Sequence, residues 1–477
     1  MRFLLSFVTA LACIASSSTC AAAASALTVN DAGDAGDGTC TSVCTLRDAI
    51  GNVASGGSID FAPELLPATI TLTKGPLIIV KQLTIQGPGA ELLSISANSA
   101  SRVLSVASFP ESVNISGVTL RDGRVVGVAG GNGGKETGSN GVPGVTVLGG
   151  CILATNSSLH LENTDVRNCV AQGGNGGRGG SGIPHAGLGG PGGAGGAGGF
   201  AYGGAIGFQT SSPNIYSLVL RNSSVTDSQA IGGAGGAGGA GGSGSFVGPG
   251  GSGAAGGTAL GGAIAWFVSD AFSATVFLYS SSVADSAAIG GSGGNGGAPG
   301  GDGGNGGPAL GGLVSLDSNF AINFGTLANG STQGGAGGSG STPGSEGSAL
   351  GAAIHQNKAL PAATVAVSTV IVGNGPAPLC WKNLYTSSGH NLDQDDTCGF
   401  DMHGSLALFR PLDPDAARPH YLPVYRSAVI DAAASCNDLS IPPVDVDDDQ
   451  LGTARPQGSA CDLGAIEADY VFVDGFD

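Results

Sequence analysis

Three segments of the chain align without gaps: LHLENTDVRNCVAQGG (159–174), LVLRNSSVTDSQAIGG (218–233) and VFLYSSSVADSAAIGG (276–291). The same frame fits VNISGVTLRDG (113–123), FAINFGTLANG (320–330) and TVAVSTVIVGN (364–374), where Val365 takes the place of Leu159. Each copy carries apolar residues at alternating positions, such as Leu159 and Leu161, and another at Val166. That is the period of a strand with one buried face. A second element precedes most copies: LGGCIL (148–153), YGGAIGF (202–208), LGGAIAW (260–266), LGGLVSL (310–316) and LGAAIHQ (350–356). One unit therefore reads as GG-strand, turn, alternating strand, Asx turn, third short strand and glycine-rich excursion. A unit of a few short strands cannot bury its own apolar face and must stack on its neighbours. With no helical period between the strands, the expected fold is all-β, a right-handed parallel β-helix over residues 56–375. ATITLT, PLIIVKQLTIQGPG, ELLSISAN and SRVLSVAS continue it without inserts through 56–112.

Two places beyond Val166 the copies carry Asp122, Asn168, Asp227, Asp285, Asn329 and Asn374. Asn and Asp bond local backbone at tight turns, and stacked units place like on like, so this column reads as a structural turn ladder. An active-site or cation ladder is the competing reading. Cysteines fall in local pairs: Cys40 with Cys44, Cys151 with Cys169, Cys380 with Cys398, and Cys436 with Cys461. Cys151 and Cys169 each replace a small residue within one unit, which points to a disulfide across that unit. No CxxC is present and the six His are scattered, so disulfides are preferred over zinc.

Glycine accounts for 90 of 477 residues. It concentrates in inserts at about 127–148, 173–202, 232–260, 290–310 and 334–350, which all leave the unit between the third strand and the next GG-strand. Stacking should set them side by side on one face. Fixing ~29 residues costs on the order of 30–60 kcal/mol of backbone entropy, and glycine side chains bury nothing, so a mobile fringe is the default expectation. The alternative is ordered polyglycine II, three residues per turn, hydrogen-bonded between inserts; the Gly-Gly-X period suits it.

Residues 1–26 place Arg2 before an apolar run and end in Ala24-Ser25-Ala26, the pattern of a secretory signal peptide. The expected location is secreted or at the cell surface. The apolar run is short for a membrane span and no later one reaches ~20 residues, so no transmembrane segment is expected in the mature chain. With 17 basic against 35 acidic side chains and a net charge of −18, the chain lacks the basic stripe of a nucleic-acid binder.

The stretch DAGDGTCTSVCTLRDAI (34–50) closely resembles the CSLREA motif of bacterial exported proteins, with Thr45 and Asp48 where the motif has Ser and Glu. Thr45 with Asp48 also looks like a capping-box helix start, a shield for the open end of the solenoid over 27–55. The GGAI…Asx repeat resembles the units of polymorphic outer-membrane proteins, although Val or Leu stands at the position they fill with Phe. SSGHNLDQDDTCGF (387–400), RSAVIDAA (426–433) and DQLGTARPQGSACDLGAIE (449–467) resemble the choice-of-anchor Q region. This implies an irregular, disulfide-stapled C-terminal module over 376–468. The tail 469–477 resembles the short DGFE-type ends of exported Gram-negative proteins. These families bring no catalytic residues.

β-Helices often cleave acidic polysaccharides with clustered carboxylates. Asn163-Thr164-Asp165 matches one polygalacturonase motif, but its neighbours in the stack are Asn222-Ser223-Ser224 and Ser280-Ser281-Ser282. Arg121 and Arg167 share a column that continues as Thr226 and Ala284, short of the base a lyase needs. A P-loop fails because Ala129 and Glu136 occupy required positions. Asp445, Asp447 and Asp449 resemble the start of an EF-hand loop, yet Gln450 replaces its Gly and Pro456 its final Glu. They are the candidates for a loosely bound calcium ion; no other cofactor is implied. The expected role is a non-catalytic, adhesin-like surface scaffold whose partners are surface glycans or other cell-surface proteins. The competing expectation is a carbohydrate-active lyase or hydrolase.

Overall fold

The computed structural model describes residues 25–468 apart from 108–111, 212–213, 269–273, 357–363, 374, 382–384, 388, 405–408, 413–415, 417 and 438–445. Residues 1–24, where a signal peptide is expected, Asn374, Asp445 and the tail 469–477 lie outside the described residues.

The chain winds as a parallel β-helix. One rung runs Ile152–Thr155, Ser158–Glu162, Asp165–Arg167 and Val170–Gln172, leaves as an insert, and returns through Ala201–Tyr202. Each strand pairs in parallel with its counterpart one rung on, so Leu159, Leu218, Val276 and Phe320 form one column. Stacking gives two ten-stranded sheets, one of eight strands and two of five. Inward residues such as Leu159, Leu161 and Val166 are fully buried in a single continuous core.

The rung has five short strands where the repeat suggests three. Asn163, at φ 48°, turns the chain after Glu162, so the alternating segment splits between two sheets. This corner is a column of left-handed residues: Asn163, Asn222, Ser280, Phe324 and Ser368. A second such column is Asp122, Asn168, Asp227, Asp285 and Asn329, and a third is Gly149, Gly203, Gly261, Gly311 and Gly351. Asn and Asp enter that region more readily than other side-chain residues, and Gly without penalty. The final copy sits one residue away from the expected frame. Val365 pairs with Ala321 rather than Phe320, and Val370 with Thr326, which brings Gly373 rather than Asn374 opposite Asn329.

At the N-terminal end the helix Leu46–Asn52 starts at Thr45, whose hydroxyl accepts from the Asp48 N–H and donates to the Asp48 carboxylate. Arg47 holds Asp34 with two donors and also donates to the carbonyls of Gly75 and Pro76. The helix is thereby fastened over the open end of the core. Disulfides join all four local cysteine pairs, Cys151 to Cys169 across one rung and Cys436 to Cys461 within the C-terminal module.

The inserts are ordered, which overturns the expectation of a mobile fringe. Each runs out and back as two extended limbs, and the five stack into two layers. The first Gly of a Gly-Gly-X triplet donates to the X carbonyl of the next insert: Gly176 to Ala234, Gly235 to Ser292 and Gly293 to Ala336, each at 2.8 Å. The second Gly donates across the layers, as Gly177 does to Val142, Gly236 to Gly196 and Gly294 to Ala254. Asn at X adds a third bond: Asn132, Asn175 and Asn305 accept, through Oδ1, the backbone N–H of Arg178, Ala234 and Ser345. This is polyglycine II. Two hydrogen bonds per triplet supply the compensation for backbone entropy that burial could not.

A Cβ on Gly236 would fall well inside 3.0 Å of the Gly177 carbonyl oxygen, whereas X residues face outward. Gly236→Ala should destabilise the chain by about 1–3 kcal/mol through overpacking, and Ala237→Ser by less than about 0.5 kcal/mol. Denaturant midpoints measure both. Slow amide exchange at the paired glycines within residues 173–200 and 232–258 in the wild type is the accompanying expectation.

Candidate functional site

The ten-stranded sheet that contains Ser158–Glu162 has one face in the core and one open to solvent. Its strands alternate, so what is left after the apolar residues turn inward is an outward set in register. His160 lies between Asn114 and Val219, and Val219 beside Phe277; Glu162 lies between Ser116 and Arg221, and Arg221 beside Tyr279. Thr84 and Gln86 extend the two columns. Together they line an open groove of about 490 Å³ that crosses the strands.

One end of the groove is an aromatic plate. Phe277 and Tyr279, two apart on one strand, hold their rings within 7° of parallel with centroids 5.9 Å apart. The Arg221 guanidinium sits 4.8 Å from the Tyr279 ring centre, a cation–π contact that fixes both side chains. In the middle, His160 Nε2 lies 3.4 Å from the Ser217 hydroxyl. Partial burial lowers the His160 pKa, so the ring is neutral at neutral pH and offers one donor and one acceptor. Glu162 is the carboxylate of the groove lining. Hydrolysis of a glycosidic bond by the usual route needs two carboxylates some 5–9.5 Å apart. The described lining provides one. What the arrangement offers is a stacking platform flanked by hydrogen-bonding side chains.

The residues singled out from sequence lie elsewhere. The Asx ladder runs along the edge of the other ten-stranded sheet, whose outer face is covered by the C-terminal module. The Tyr421 hydroxyl donates to Asp285 (2.8 and 2.9 Å), and Asn329 Nδ2 reaches Tyr421 and Asp285. Ser282 donates to Gln450, and Ala465 donates its N–H to Thr326. Arg418 donates to Asn163 Oδ1 and to the carbonyls of Asn222 and Gln450. The ladder thus turns the chain and anchors the module. Of the calcium candidates, Asp449 is buried, with Oδ1 accepting from Leu451 and Thr453 and Oδ2 from Glu467. Among the described residues no group of three or more His, Cys, Asp or Glu is placed to hold a metal. The groove itself was legible in the aligned copies: its residues are the outward half of the alternation that marks the strands.

No family model matches the chain, and no curated protein matches it. Among solved structures it is similar to pectate lyase Pel9A, at 12% identity over 93% of this chain and 97% of that one, with a TM-score of 0.34. A rhamnogalacturonan lyase aligns at 11% identity over 84% of this chain and 95% of that one, with a TM-score of 0.27. A polyproline II helical-bundle antifreeze protein from the springtail Granisotoma rainieri aligns at 20% identity over 49% of this chain and 98% of that one, with a TM-score of 0.11.

Asp165 is the buried titrating group between these features. It accepts from the Ser224 hydroxyl, lies 3.1 Å from Arg167 Nε, and is pushed up to about 7 by burial, against the pull of Arg167. Its folded value exceeds its unfolded one, so the stability it contributes is complete below about pH 4 and lost as pH rises towards 7. Asp165→Asn removes that loss. From pH 4 to pH 7.5 the wild type should lose on the order of 2–4 kcal/mol relative to the variant. Paired denaturation curves across that range measure it, and parallel profiles would refute the assignment.

Proposed function

We propose that this protein is an exported, non-catalytic β-helix scaffold of the cell surface that holds extended glycan chains in the groove of its open ten-stranded sheet. The observation that carries the reading is the parallel Phe277–Tyr279 ring pair continuing, in strict register, into Arg221, Glu162, His160 and Asn114. A sugar ring presents an apolar face to stack on aromatics and hydroxyls for neighbouring polar groups. A groove crossing several strands suits a linear chain better than a compact ligand. Four disulfides and a signal-like N-terminus support an oxidising, extracellular setting. The CSLREA-like and choice-of-anchor Q-like stretches favour the same setting by resemblance.

Binding of the folded chain to a panel of neutral and acidic polysaccharides tests this directly. Phe277→Ala and Tyr279→Ala should each weaken glycan binding about tenfold, roughly 1.4 kcal/mol, with unchanged thermal midpoints because both side chains lie outside the core. The outward Thr275→Ala, on the same strand, should leave affinity unaltered. Release of unsaturated or reducing sugar ends from the panel would replace this reading with the enzymatic one.

A further inference from the structure

The second and third inserts reach further than their neighbours. The first turns back after Gly133-Gly134-Lys135, with Gly138 donating to the Ser181 carbonyl, and the fourth after Gly296-Gly297-Ala298, where Gly301 donates back to Gly297. In the second and third a further triplet follows, Gly182-Ile183-Pro184 and Gly241-Gly242-Ser243. One turn of this helix rises about 9 Å. The two tips, 185–188 and 244–247, therefore stand clear of the flanking inserts by roughly that height.

The tips are ordered against each other. Leu188 and Phe246 form a parallel bridge; the His185 N–H donates to Ser243, that of Phe246 to Gly187 and that of Gly189 to Phe246, while the Ser245 hydroxyl donates to the Ala186 carbonyl. Four apolar side chains clothe the projection, Ile183, Leu188, Phe246 and Val247, with Phe246 73% and Leu188 63% exposed. The shorter inserts end instead in Lys135-Glu136-Thr137, Pro299-Gly300 and Ser339-Gly340-Ser341. Charge follows the same division. The chain has 35 acidic side chains, yet neither long insert contains Asp or Glu. Glu136, on the first insert, is level with Ser181, below the extra triplet.

We propose that this double tip is a lipid-binding site that inserts into the surface of an uncharged, zwitterionic bilayer. The site lies on the inserts and is independent of the groove in the open sheet. Its height matches the depth of about 5–10 Å at which apolar side chains enter the headgroup–acyl boundary. Backbone groups that leave water must find partners within the protein, and the bonds between the tips supply them for His185, Gly189 and Phe246. A net charge of −18 repels anionic lipid, whereas the charge-free tip meets no such penalty at a zwitterionic surface. A second copy of the chain is a poor occupant, since it brings the same net charge and an equally convex tip. Ile183 stands at a second-residue position and faces the side of the first insert, as Gly180 faces Gly134 one turn below, whereas Phe246 belongs to the third. The apolar surface thus wraps the projection rather than forming one flat face, and a fluid phase closes around that shape.

Sedimentation of the full chain with phosphatidylcholine vesicles tests the proposal. Phe246→Ala combined with Leu188→Ala should lower the bound fraction's partition coefficient about tenfold, equivalent to 1.4 kcal/mol, with an unchanged thermal midpoint because both side chains are exposed. Val247→Asp should abolish binding. Phe246→Trp should keep it, and its fluorescence should shift to the blue on adding vesicles, while the wild-type emission of Trp266 and Trp381 stays constant. Absence of binding to phosphatidylcholine overturns the proposal, as does binding that survives the double substitution, which would place the contact elsewhere, such as the apolar run in residues 1–26. Binding confined to anionic vesicles overturns the choice of lipid. Self-association of the chain that the double substitution abolishes overturns the choice of occupant.

Discussion

Every rung of this protein is hydrogen-bonded backbone to backbone onto the one before it, at the fixed strand spacing of about 4.8 Å. That register dictates the rest of the molecule. Whatever leaves a rung at one corner leaves it at the same corner in the next, so five inserts emerge with their first glycines already level. A freely jointed glycine segment would have to find its partner at full entropic cost. Here each insert is anchored at both ends by short strands, Val170–Gln172 and Ala201–Tyr202 in one rung and Gln229–Ile231 and Ala259–Leu260 in the next. The trunk aligns the glycine bundle, and the bundle then extends the ladder of hydrogen bonds outward from the trunk.

Close packing explains the composition. In interior limbs two of every three positions face a neighbouring backbone at a distance that admits no Cβ, and the third faces solvent. Departures from glycine mark places where a neighbour is missing: Val128, Val142 and Val145 on the first insert, Ile183 beyond the tip of a shorter neighbour, Glu346 on the last. Ala254 is the exception, a methyl held in an interior slot. The solvent positions carry Asn where it caps an adjacent limb, and Ala, Ser or Pro elsewhere.

The solenoid, its strand alternation and the common exit point of the inserts could be read from residues 113–374 because each is a periodic property of the sequence. The order of the inserts could not, since it depends on bonds between segments about 40 to 60 residues apart whose partners are all chemically alike. The frame error at Val365 has a similar origin. Thr364, Val365, Ala366 and Val367 offer two nearly equivalent alternations, and only the left-handed turn at Ser368, stacked on Phe324, selects one. The Asx ladder was recognisable as a turn device, but its second role was hidden. Nothing in Asp285 or Asn329 points to Tyr421, 136 residues away from Asp285, until the C-terminal module folds back.

That folding back divides the surface by function. In a rung the open sheet, the sheet under the C-terminal module and the insert corner follow one another around the trunk, so the faces are separated by the same turns that stack the columns. Polar groups of the covered side hold the module, Asp285 accepting from Tyr421, Ser282 donating to Gln450 and Thr326 accepting the Ala465 N–H; within the module Arg455, buried against the Phe324 ring at 4.3 Å, pairs with Glu467 at 2.8 Å and donates to the carbonyls of Asp462 and Gly464. The open sheet carries its outward side chains along the groove in two straight columns, on a framework with few soft degrees of freedom. A rigid row of stacking and hydrogen-bonding groups favours affinity for a linear ligand, because ordering costs fall on the ligand alone.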